Sequence, residues 1–293
     1  MSELKLGRRE FLVAGGVSAL GASVGLPEGG PEAAGRAGRA ERAEQADTLG
    51  SANTSAHEKG FPQLAMITRY SPEKLAFAAS AGYQGAVITV DRSFNPGLPD
   101  SEIANILSAS RQTGVRIISI ECMAPNHIDS DPARRRAANE DFIHCLEFSH
   151  QLGCKFTGTF SGGIPGASME DQAKALAEVV NEKYIPVCEK LGMGMGWENY
   201  PTGTNFATTP AAWSAVFSRV PSKLLGLEFD PSQLVRQFID PYHAAWDFRD
   251  RILAVHAKDT EITEPVLQQV GIHGQGWWRY RIPGQGRIDW PKF

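Results

Sequence analysis

The chain has 293 residues, 42% of them hydrophobic, enough to bury a large core in one α/β-barrel domain without requiring two. A formal charge of -4 leaves no basic face for nucleic acid, which excludes a backbone-phosphate binder and favours a small neutral or polar ligand. The four cysteines, Cys122, Cys145, Cys154 and Cys188, lack C-x-x-C or Cys/His zinc spacing and read as buried free thiols.

Residues 1–26 carry Arg8-Arg9, then Glu10-Phe11-Leu12 and a mildly apolar, Gly- and Ala-rich run from Val13 to Leu26. This segment is similar to a twin-arginine export signal and implies a periplasmic or other extracytoplasmic location. Its glycines and short length argue against a stable membrane span, which needs about 20 strongly apolar residues. Residues 27–60 have almost no large apolar side chain and read as a disordered linker. The first 46 residues hold six basic and six acidic side chains, so their removal leaves the charge balance unchanged.

From residue 61 onward, short β-like runs alternate with longer amphipathic ones, the pattern of βα units around a parallel sheet. Strands are expected at Leu64–Thr68, Ala86–Asp91, Arg116–Cys122, Lys155–Phe160, Met193–Asn199, Leu224–Asp230 and Ile252–Lys258. Between them, Ser71-Pro72-Glu73 opens a helix with a cap and an N1 proline, and Gly114 stops the helix over Ser101–Thr113. Further helices are expected over Ala133–Leu152, over Met169–Leu191 with a kink at Pro186, from Thr209-Pro210, and over Tyr242–Asp250. The segment Ile288–Phe293 looks like the start of one more helix.

The fold expected is therefore a (β/α)8 TIM barrel over residues 61–293, apparently truncated before strand eight. Seven parallel strands would leave two open edges, so the simplest account is a fragment short of one strand, roughly 30 residues by the usual length of a βα unit.

Three of these runs end in metal-ligand residue types: Glu198 in Trp197-Glu198-Asn199-Tyr200, Asp230 in Phe229-Asp230-Pro231, and His256 in Val255-His256-Ala257-Lys258. In a barrel the C-terminal strand ends converge on one mouth, so two carboxylates and an imidazole meet there and call for a cation. Taken singly, each also reads as a core histidine, an ion pair or a helix cap. Alternation places Lys258 on the face of His256 and Glu228 on the face of Asp230, where Glu228 reads as an acceptor behind the ligands.

These segments, with Arg281-Ile282-Pro283-Gly284-Gln285-Gly286-Arg287-Ile288-Asp289-Trp290, resemble the xylose isomerase-like TIM-barrel superfamily, the sugar phosphate isomerase/epimerase group. The resemblance implies a Glu, Asp, His, Glu metal set, of which Glu198, Asp230 and His256 are present; the fourth, a glutamate on strand eight that also serves as a catalytic base in the epimerases, has no counterpart, and Glu198 is the candidate catalytic residue in this chain. It implies a divalent cofactor, Mn2+ first, with Mg2+, Co2+ or Zn2+ as alternatives. Gln233 stands where many relatives carry histidine and keeps a donor and an acceptor for a substrate hydroxyl. The remaining candidates for substrate contact are Lys258, Trp277, Trp278, Arg279 and Arg281 in the loop after the seventh strand, and His127 after the third. Trp277, Trp278 and Tyr280 read equally as packing at the mouth, and His127 as a surface-loop histidine.

The chemistry implied is proton abstraction beside a carbonyl, giving isomerisation or epimerisation of a keto-sugar or polyol; export points to an unphosphorylated substrate. The same site on a keto-sugar, inosose or 3-keto-glycoside with a leaving group β to the ketone gives a lyase or dehydratase. A secreted sugar-binding barrel without catalysis is the non-enzymatic alternative. An endonuclease IV-like enzyme is disfavoured, because neither its histidine-rich site nor a basic surface is present. A small-molecule sugar is thus the expected partner, and a homo-oligomer is compatible with this reading.

Overall fold

The computed structural model describes residues 11–14 and 62–293. Its sheet is built from β1 (Phe11–Ala14), β2 (Gln63–Thr68), β3 (Gly85–Thr89), β4 (Arg116–Cys122), β5 (Phe156–Thr159), β6 (Gly194–Glu198), β7 (Leu225–Phe229) and β8 (Ile252–His256). All pairings are parallel and follow chain order. The seven strands expected from Leu64 to Lys258 are all present, with ends that differ from expectation by no more than two residues. The position beside β8 that they leave open is taken by β1, which pairs with both β2 and β8 and closes the barrel. The arginine pair and the linker of residues 27–60 lie outside the described residues.

The helices outside the sheet are α1 (Pro72–Ser80), α2 (Asp100–Thr113), α3 (Pro132–Gln151), α4 (Met169–Val179), α5 (Ile185–Leu191), α6 (Pro210–Phe217), α7 (Pro231–Val235) and α8 (Pro241–Phe248). Local chemistry sets their ends. Ser71 Oγ accepts from the Lys74 amide to start α1, Asp131 accepts from Ala133 and Arg134 to start α3, and Gly114 closes α2 at φ 73°. The kink expected at Pro186 is a five-residue π-turn, Val180–Tyr184, between α4 and α5. Proline has no N–H to continue the ladder, and the wider turn absorbs the break. Among the described residues, no helix is long and apolar enough to cross a membrane.

Two apolar layers result. Between strands and helices lie Ile117, Ile120, Phe142, Leu176, Tyr184, Trp197, Trp213, Leu227 and Phe229. Inside the barrel lies a smaller cluster, Ala65, Val87, Ile118, Phe156 and Ala254. Above that inner cluster the facing strands turn polar.

After β8 the chain departs from expectation. A two-stranded antiparallel ribbon, β9 (Asp259–Ile262) with β10 (Trp278–Arg281), flanks the barrel and encloses a short helix, α9 (Glu264–Val270). Residues 284–290 then wrap around one buried carboxylate instead of opening a helix. Asp259 accepts from the amides of Gly284, Gly286 and Ile288 and from Trp290 Nε1. A Cβ on Gly286 would stand 2.2 Å from Asp259 Oδ1, so only glycine fits there.

Candidate functional site

Glu198 is the last residue of β6, Asp230 caps α7 directly after β7, and His256 ends β8. Parallel register brings these ends to one rim, with Glu198 level with Glu228 and Phe229 level with Val255. One ligand atom from each of Glu198, Asp230 and His256 lies within 4.8 Å of the others. His256 Nδ1 is 3.4 Å from Glu198 Oε1 and 3.9 Å from Asp230 Oδ2. Asn199 binds the neighbouring strand end both ways, its Oδ1 accepting from the Asp230 amide and its Nδ2 donating to the Asp230 carbonyl.

Lys258 reaches the same point. A bond from its amide to the His256 carbonyl turns the chain past β8, and Nζ comes to 2.7 Å from Asp230 Oδ2 and 3.8 Å from Glu198 Oε1. Burial pushes the Glu198 carboxyl up, but the charges of His256 and Lys258 override it and hold it well below the usual carboxylate range. Burial alone would lower His256 and Lys258; the facing carboxylates raise both instead. Two carboxylates and one imidazole nitrogen form a donor set suited to a divalent cation, and the ammonium of Lys258 marks where they demand positive charge.

The sequence-predicted residues separate into two groups. Gln233 is fully buried on α7; its Nε2 donates to Asp230 Oδ2 and its Oε1 accepts from Tyr280 Oη. Tyr280 also accepts from Arg236, and its ring faces the Lys258 ammonium at 4.4 Å. Trp278 lies under the Arg236 guanidinium at 4.3 Å and edge-on to Tyr280, so it joins this wall.

Trp277 instead stacks on Phe238 and is buried as packing. Arg279 and Arg281 both bind Glu261, which holds the Glu261 carboxyl down to about 2 and engages the guanidinium groups expected to face substrate. The reading of His127 as a mouth or surface residue is corrected. It is fully buried, with Nδ1 against Tyr184 Oη at 2.8 Å and Nε2 against Thr159 Oγ1 at 2.9 Å. Burial lowers it to about 3, so it is a neutral core group. The cysteines are free and buried as expected, with the Cys122 and Cys145 sulfurs 2.7 Å apart.

Sequence reading passed over Glu121. It lies on β4 level with Gly158, faces Glu228 and His256 across the barrel, and is buried, as is Glu228. Room for this pair comes from Gly158, where a Cβ would stand 2.3 Å from Glu228 Oε2. None of the four carboxyl oxygens has a hydrogen-bond partner, and neither does His256 Nε2. Burial pushes Glu121 up to about 7 against the pull of His256, and burial together with Glu121 raises Glu228.

A cleft of 640 Å3 beside α3, lined by Val90, Pro125, Asp129, Arg134 and His144, lies apart from these clusters and carries no comparable donor set.

The model of the xylose isomerase-like TIM barrel family matches residues 75–293. The chain belongs to that family. No curated protein sequence matches it. Among solved structures, a D-psicose 3-epimerase is similar over 78% of each chain, at 16% identity and a TM-score of 0.59. The 3-keto-D-glucoside 4-epimerase of E. coli is similar over 65% of this chain and 77% of its own, at 17% identity and a TM-score of 0.55. The probable 3-DHS dehydratase of Bacillus anthracis is similar over 70% and 76%, at 13% identity and a TM-score of 0.56. At these identities the likeness is one of fold, and the xylose isomerase-like barrel is the frame in which the cluster is to be understood.

Proposed function

We propose that this xylose isomerase-like barrel is a divalent-metal-dependent isomerase or epimerase that abstracts a proton beside the carbonyl of an unphosphorylated keto-sugar or polyol. The observation that carries the reading is the convergence of Glu198, Asp230 and His256 with the Lys258 ammonium among them. Glu198, Asp230 and His256 would hold the cation, Mn2+ first, and the cation would supply Lewis acidity next to the substrate carbonyl.

Of the three ligands, the Glu198 side chain is 12% exposed, while Asp230 is at 0% and His256 at 4%. Glu198 is therefore the carboxylate that a substrate in the mouth meets, and it is the base. Lys258 and Gln233 present donors to substrate oxygens, and Trp278 with Tyr280 forms an apolar wall suited to a sugar face. The likeness of residues 1–26 to a twin-arginine signal supports export and, with it, a substrate without phosphate, with that segment retained, since its Phe11–Ala14 closes the barrel.

The test is deuterium incorporation from D2O into 3-keto-glycosides and ketohexoses, followed by NMR. The wild-type chain should exchange the proton next to the carbonyl when Mn2+ is added and stop when it is chelated. Glu198→Gln should lose about 100-fold or more, the usual contribution of a positioned acid or base. Exchange that survives chelation, or that Glu198→Gln leaves intact, overturns the proposal. Release of water or aglycone in place of a stereoisomer assigns the site to a lyase.

A further inference from the structure

Beneath the mouth the barrel holds five polar atoms without partners: both carboxyl oxygens of Glu121, both of Glu228, and Nε2 of His256. Buried polar groups are almost always hydrogen-bonded, so five together in one place require a cause. His256 connects this group to the mouth, because its two ring nitrogens face different clusters. Nδ1 faces Glu198 and Asp230, while Nε2 faces inward, 4.0 Å from Glu121 Oε1.

A neutral imidazole that presents a lone pair at Nδ1 must carry its hydrogen at Nε2, and an N–H buried there needs an acceptor. We propose that Glu121 is that acceptor, a positioning residue that fixes the ring of His256 so that Nδ1 addresses Glu198 and Asp230. The proposal rests on the metal-site reading above and adds to it a residue from the opposite side of the barrel.

Geometry favours Glu121 within the pair. Its Oε1 is the inner carboxyl oxygen brought within 4.0 Å of the ring. The Glu228 carboxyl, by contrast, lies over Gly158, against the space that the missing Cβ leaves. Apart from its carboxyl neighbour Glu228, no residue hydrogen-bonds to Glu121, so closing the remaining distance of about 1 Å disturbs that one contact alone. Histidines that ligate metals commonly donate their second N–H to such a carboxylate, and loss of the acceptor weakens metal binding about 10- to 100-fold.

The experiment compares wild type with Glu121→Gln, which keeps an acceptor oxygen, and Glu121→Met, which keeps length and removes it. Two readouts are taken on each protein: the [15N]histidine spectrum of His256 with and without Zn2+, and the Zn2+ and Mn2+ dissociation constants by calorimetry. In wild type the Nε2–H proton should be shifted downfield and protected from exchange. In Glu121→Met that signature should vanish, and metal binding should weaken about 10- to 100-fold. Glu121→Gln should keep the N–H signal and recover most of the affinity.

A Glu121→Met protein that keeps its fold by circular dichroism, its Nε2–H signature and wild-type affinity overturns the assignment. If wild type binds neither ion, the metal-site reading fails instead, while the metal-free spectrum still decides whether Glu121 accepts from His256.

Discussion

The barrel carries two acidic groups on either side of His256, and they are treated in opposite ways. At the mouth, Glu198 and Asp230 face His256 and Lys258, and Asp230 also accepts from Ser232 and Gln233. In the interior, Glu121 and Glu228 have no donor from any other residue and face each other. Positive charge at the mouth keeps Glu198 ionised, whereas burial inside drives the pair toward the protonated state. Residues of the same type are thus given different states by what surrounds them; in the proposals above, the upper group holds a cation and moves a proton, and the lower one supports the ring between them.

The contrast can be broken most severely at Lys258. In metal-free protein, Lys258→Met leaves Asp230 buried without its counter-charge, and we expect a loss of about 4 kcal/mol in denaturant unfolding. Addition of Mn2+ should restore most of it; a variant as stable as wild type in chelator would show that Lys258 is not the stand-in charge.

The interior responds to pH. The folded state holds the Glu121 proton up to about 7, against an ordinary value of 4.5. Stability from this group is therefore full below pH 4.5 and is lost as pH rises to 7, by up to about 3 kcal/mol. Thermal midpoints of chelated wild type and Glu121→Gln, measured across that window, should differ in slope, the variant being flatter; parallel curves would count against it.

Gly158→Ala is the mildest probe. Its methyl group meets the Glu228 carboxyl at 2.3 Å, and overpacking of this kind costs about 2 kcal/mol. Adding Glu228→Ala to Gly158→Ala should recover much of that loss, and failure to recover would place the strain elsewhere.

The mouth was legible in the sequence because its three ligands terminate three successive strands, and strand ends in a barrel share one rim. Lys258 was legible by alternation, although the strand stops at His256 and a turn, not the pleat, delivers it. Glu121 was hidden by a register shift. Ala86 pairs with Ile117 but Val87 pairs with Ser119, so Ile118 is an extra residue. Strict alternation from Ile117, which packs outward, sends Glu121 outward as well; the shift turns it in.

His127 misled because Pro125-Asn126-His127 has loop composition, while its burial depends on Phe142 and Tyr184, distant in sequence. The pairing of Arg279 and Arg281 with Glu261 depends on the β9–β10 ribbon, which no local signal announced. The closure of the sheet by Phe11–Ala14 was likewise invisible, since four apolar residues in a row carry no strand periodicity of their own.

The grip of Asp259 on residues 284–290 has a consequence for how ligands come and go. One carboxylate fastens the segment beyond β10 to the residue where β9 begins, and Thr260 Oγ1 fastens that ribbon to the Ser232 carbonyl of α7. Trp278 and Tyr280 therefore stand on a braced parapet and not on a flap. If the proposed function holds, a sugar entering this vestibule meets a contour already cast, and discrimination among stereoisomers falls to shape present before arrival.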